Sequence, residues 1–104
     1  MAATVIGKGI TIEGEVSSED EVVVGGVIRG KLDVEGQVTV EPEGVVEADI
    51  GARSVSISGA VTGNVTASER VDLLEGARLI GDVKAARLTI ADGASFKGNV
   101  DMEG

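Results

Sequence analysis

Carboxylates are the reactive groups this chain carries in quantity: 18 Asp and Glu side chains against 9 Lys and Arg, for a net charge of −9. Such groups hold hard cations or act as general acid and base, and the densest run of them is Glu19, Asp20 and Glu21 after Ser18. That run lacks the glycine and the alternating ligand spacing of a calcium loop, so it reads as an exposed corner. Gly7-Lys8-Gly9 shares its residue types with a phosphate loop but not the full spacing that ends in Gly-Lys-Ser/Thr after a strand. His, Cys, Tyr and Trp are all absent. The commonest general base, the thiolate nucleophile and the usual transition-metal ligand are therefore missing, and the chain reads as a non-enzyme without cofactor or metal. Lys and Arg are scattered among acids instead of forming a basic face, which argues against direct nucleic-acid binding.

What positions these groups is a repeat. The pattern apolar, x, small, x, apolar starts at Ile12, Ile28, Val46, Val61, Leu79 and Phe96, at intervals of 16, 18, 15, 18 and 17 residues. Its small residue is Gly14, Gly30, Ala48, Gly63, Gly81 and Gly98, and its second apolar residue Val16, Leu32, Ile50, Val65, Val83 and Val100. Self-similarity at about 17 residues marks a solenoid in which each repeat is a coil on its neighbour. Between the copies lies a second element, apolar, x, apolar, at Val22/Val24, Val38/Val40, Val55/Ile57, Val71/Leu73 and Leu88/Ile90. Both alternate with period two and are rich in Val and Ile, as strands are. The expectation is three short strands per coil, joined at corners, with Gly at the centre of the first pattern allowing a bend and close coil approach. Gly44, Gly76 and Gly93, and Pro42 after Val40, suit turns. In-register stacking would align Glu13, Arg29 and Glu47 in one outward column and Glu15, Lys31 and Asp49 in the next, alternating charge along each.

Six coils at about 4.8 Å each predict a single rod roughly 29 Å long. The domain boundaries expected are a short flexible segment over 1–9, the β-helix over 10–102 and a terminal end at 103–104; an extra edge strand through Val5 and Ile6 is the alternative for the first segment. With no cysteine, no membrane-spanning run and no secretory signal, the cytoplasm is the expected compartment. The acidic excess reads as a solvated outer surface that keeps strand-rich rods apart.

Val5-Ile6-Gly7, Ile12-Glu13-Gly14, Gly26-Val27-Ile28-Arg29-Gly30, Gly59-Ala60-Val61-Thr62-Gly63-Asn64-Val65 and Phe96-Lys97-Gly98-Asn99-Val100 together resemble a bactofilin. The likeness runs from about Thr4 to Met102 and lies in the order and spacing of all six units. It implies an all-β, right-handed, three-sided parallel β-helix that polymerises without nucleotide into bacterial cytoskeletal filaments. Itself is then the main partner, with other bactofilins and scaffolded client proteins as further ones. Bactofilins commonly carry longer flexible tails, some of which touch the membrane; this chain departs from that pattern, so membrane contact through 1–9 stays an open alternative. End-to-end joining is physically reasonable, because an uncapped solenoid end exposes unpaired backbone groups and apolar side chains. The expected polymer interface is Ile10, Ile12 and Val16 in the first coil and Leu88, Ile90, Phe96, Val100 and Met102 in the last. The competing function class is a monomeric solenoid whose flat face binds a partner protein, polysaccharide or ice; the mixed Glu, Arg, Lys and Asp columns count against it.

Overall fold

The computed structural model describes residues 3–102, with the side chains of Ala3 and Met102 left out. Eleven strands are found there: β1 (Ala3–Ile6), β2 (Thr11–Ser18), β3 (Glu21–Val24), β4 (Val27–Val34), β5 (Gln37–Val40), β6 (Val45–Ile57), β7 (Ala60–Thr62), β8 (Val65–Leu73), β9 (Arg78–Ala85), β10 (Arg87–Ile90) and β11 (Ser95–Met102). Every pairing is parallel, and each joins a residue to its equivalent one repeat away, as a solenoid requires. The pairings form three ladders. The first stacks β1, β3, β5, the end of β6, the end of β8, and β10. The second and third run through the two halves of the longer strands, centred on the Ile12 to Phe96 column and the Val16 to Val100 column. Six coils result, in a squat prism with principal extents of 31 × 25 × 22 Å.

The bend between the second and third ladders is made by the glycine column. Gly30 has φ of 125° and Gly98 of 142°, a region that L side chains rarely adopt. Space excludes a side chain as firmly as conformation does, since a Cβ on Gly30 would run into the carbonyl of Gly14, and one on Gly98 into that of Gly81. The third coil differs: Ala48 stands in this column without positive φ and turns its methyl into the core.

Irregular spacing in the repeat has a simple origin. The corner between the first and second ladders has four residues in coils one, three, five and six, and only two, Gly25-Gly26 and Ser58-Gly59, in coils two and four. Each four-residue corner is a hydrogen-bonded turn, with the N–H of Ile10, Gly44, Ala77 and Ala94 donating to the carbonyl three residues back. Gly9, Gly76 and Gly93 take φ of 85–89° at the third turn position, whereas the third coil uses Pro42 at the second position, where its fixed φ fits. A single extra residue in the next corner of coil four accounts for the register shift between Ala52 and Ser54.

Inside, the columns are sealed. Ile28, Leu32, Val38, Val46, Leu73 and Leu79 are fully buried, and no polar or charged side chain is buried among the described residues. An aliphatic, mostly β-branched filling suits a narrow prism whose inward positions recur at each rung. The boundary expected at residue 10 needs correcting. Ala3–Ile6 is a paired strand, with Thr4 beside Val22 and Ile6 beside Val24, and Ile6 is buried. It belongs to the solenoid because Ile6 extends an inward column already begun by Val24.

Candidate assembly ends

Chemistry-bearing side chains lie outside the prism. Glu19, Asp20 and Glu21 are exposed around the corner after β2, and no group of three carboxylates comes close enough to share a cation among the described residues. Lys8 sits in the first turn and makes an ion pair at 3.4 Å with Glu43 in the turn of the third coil. The two-residue corner of the coil between them leaves that gap open. Arg29 lies between Glu13 at 3.7 Å and Glu47 at 3.2 Å, so the first charged column forms a three-member ladder. The neighbouring column of Glu15, Lys31 and Asp49 is in register but closes no ion pair among the described residues. All partners in these pairs are well exposed, where each pair is worth about 0–1 kcal/mol, so their effect is on register more than on stability.

The two ends break the rule that inward means buried. In the described chain β1 and β2 are paired on one side only, by β3 and β4, and β10 and β11 only by β8 and β9. Their outer edges carry unpaired backbone groups. Val100 is 41% exposed, while Val83, in the same column one coil earlier, is 1% exposed; Ile90 is 49% exposed against 0% for Leu73. At these two positions of the last end the side chain is sealed where a further coil covers it and open where none does; at the first end Ile6 is buried all the same. Leu88 and Phe96 are partly buried against the core, as are Ile12 and Val16 at the other end.

Of the expected interface residues, Ile12, Val16, Leu88, Ile90, Phe96 and Val100 occupy inward positions of the terminal coils. Met102 takes the register position beside Ala85, and its side chain lies outside the description. Ile10 is placed differently. It closes the first turn, in a corner column that continues as Gly26, Gly44 and Gly59, and is 48% exposed at the rim. The expected interface set left out Thr4, Ile6 and Ser18, which fill the remaining inward positions of the first coil. Thr4-x-Ile6 is the second repeat element with its first apolar residue replaced by Thr, so an apolar template passes over it.

A parallel solenoid with open, unpaired ends belongs to the class of proteins that can grow by stacking further coils. The family model for bactofilins, described as polymer-forming cytoskeletal proteins, matches residues 4–101, and the chain belongs to that family. Bactofilin BacO of Myxococcus xanthus (strain DK1622) is 52% identical over 103 residues, covering 99% of this chain and 82% of its own length. Among solved structures, the Thermus thermophilus bactofilin reconstructed by cryo-EM as double helical filaments superposes with a TM-score of 0.91 at 37% identity, covering 96% of this chain and 99% of that one. The cytoskeletal bactofilin BacA, solved by solid-state NMR, gives 0.88 at 32% identity, covering 98% and 97%. The protein is accordingly a filament-forming structural component and not an enzyme.

Proposed function

We propose that this chain polymerises end to end through its first and last coils, without nucleotide, like ends facing each other. The filament then has no polarity, because alternating two isologous interfaces extends without closing. The observation that carries the reading is the contrast between Val83 and Val100, one buried and one open at the same register position. Stacking a second copy there covers the apolar ring and the free strand edges in one step. Ile12, Val16, Leu88, Ile90, Phe96, Val100 and Met102 form the contact, with Ile10 at its rim. In the cell the filament serves as a cytoplasmic scaffold for organisation or morphogenesis, with other bactofilins and client proteins docking on the outer ladders, as repeat faces commonly allow.

No helix among the described residues is long and apolar enough to cross a membrane. Val5, 64% exposed on the outer side of β1, is the residue of the first segment best placed for a membrane surface if one is met. Negative-stain electron microscopy of the purified chain in plain buffer tests the central reading. Long filaments one or two prisms wide support it, provided that Phe96→Arg gives folded particles and no filaments. Wild-type filaments from the Phe96→Arg variant reject the terminal interface.

A further inference from the structure

The two ends differ in charge. In the first coil, residues 3–20, Glu13, Glu15, Glu19 and Asp20 outweigh Lys8, for a side-chain net of −3; in the last, residues 87–102, Asp92 and Asp101 are balanced by Arg87 and Lys97. The imbalance continues inward. Residues 3–53 hold 11 acidic and 4 basic side chains, a net of −7, whereas residues 54–102 hold 6 and 5, a net of −1.

Independently, the ends differ in what they offer for burial. The inward positions of the first coil are Thr4, Ile6, Ile12, Val16 and Ser18, two of them polar, and Ile6 is only 3% exposed already. Those of the last coil are Leu88, Ile90, Phe96, Val100 and the register position of Met102, all apolar, with Ile90 and Val100 each more than 40% exposed. The large exposed apolar residues of the first coil among the described residues are Val5, on the outer side of β1, and Ile10, at the rim.

We infer that the last coil is the stronger self-interface: copies pair there first, and the pairing of first coils, opposed by their own negative charge, is the salt-controlled step that converts dimers into filaments. This rests on the like-to-like assembly proposed above. At 10 mM salt the screening length of about 30 Å matches the 31 Å extent of the subunit, so both acidic halves repel in full. At physiological ionic strength it falls to about 8 Å, and only charges within a coil or two of the contact still interact. The last-coil pair is expected to be about a hundredfold tighter than the first-coil pair at 10 mM salt, with the ratio falling about tenfold by 300 mM.

Sedimentation velocity of the full chain at 10 and 300 mM NaCl tests this. Wild type gives dimers at the lower salt and filaments at the higher. Ile12→Arg, which closes the first end, gives dimers at both; Val100→Arg, which closes the last, gives monomers at 10 mM and dimers at 300 mM. A triple variant, Glu13→Gln, Glu15→Gln and Glu19→Gln, changes only exposed side chains and gives filaments at 10 mM, so the idea stays testable even where an arginine variant fails to fold. The inference is overturned if wild type polymerises equally at both salts, if the triple variant matches wild type at 10 mM, or if Ile12→Arg is monomeric while Val100→Arg dimerises. Monomers from both arginine variants beside wild-type filaments overturn the like-to-like contact itself. A wild type monomeric at every salt rejects the filament reading and the inference with it.

Discussion

Leu73 and Ile90 stand on adjacent rungs of one inward column, the first fully buried and the second 49% exposed. Truncating each to Ala therefore separates what the core needs from what assembly needs. Leu73→Ala removes three carbons from a sealed interior and leaves a cavity, which costs about 2–5 kcal/mol of folding stability. Ile90→Ala removes three carbons of which about half are already wet and opens no enclosed void, so the isolated subunit loses only about 1.2 kcal/mol at about 0.8 kcal/mol per buried methylene. The exposed half is what a second copy would cover. Lost from both partners of an isologous contact, it amounts to about 2.4 kcal/mol, or roughly a fiftyfold rise in the dissociation constant. Urea unfolding of the two variants in an Ile12→Arg, Phe96→Arg background, where both ends are closed, measures the first quantity. Sedimentation equilibrium of Ile90→Ala in an Ile12→Arg background, where only last-coil pairing remains, measures the second. Equal destabilisation by Leu73→Ala and Ile90→Ala, together with a dissociation constant changed less than threefold, would refute the assignment of Ile90 to an open end.

Other substitutions probe the bend and the surface. Gly81→Ala should cost about 3 kcal/mol or more, because the new methyl meets the Gly63 carbonyl at an already unfavourable φ of 135°. Gly14→Ala should cost about 1–2 kcal/mol of strain only, since nothing lies within 4 Å of the added carbon, yet should weaken pairing of first coils; thermal unfolding and sedimentation read the two effects separately. Arg29→Gln should change stability by less than about 1 kcal/mol despite its two ion pairs, as a urea titration would reveal. Inserting two residues between Gly25 and Gly26 should leave circular dichroism and assembly unchanged, because the neighbouring coils already carry four residues at that corner.

The coils and their inward columns were legible because each rung repeats the same demand: Ile28, Val46, Val61 and Leu79 must all be apolar for the prism to fill. Bending glycines were legible for the same reason, since Gly30 and Gly81 answer one backbone conformation and one carbonyl contact. The strand β1 was legible only as the alternative edge strand through Val5 and Ile6, because Thr4 puts a polar residue at the inward position where the other repeats carry an apolar one. Ile10 was grouped with Ile12 and Val16 because it is apolar and just precedes the inward series, but it closes a turn and lies at the rim of the first coil. Nor does any local pattern distinguish Val100 from Val83. Burial there depends on whether another coil lies over the residue, and sequence alternation encodes only which side of the strand faces inward.

Parallel stacking at every rung also sets how such a fibre carries load. The hydrogen bonds between coils run along the prism axis, so axial tension pulls each ladder in its opening direction and no strand is loaded in shear along its length. Bending and compression, in contrast, meet a close-packed aliphatic interior that has little room to yield. A fibre built from these subunits is a strut more than a cable. If copies stack end to end as proposed above, such a fibre pulled hard is expected to part at a junction between copies, where no covalent chain crosses, before the coils within a subunit unwind.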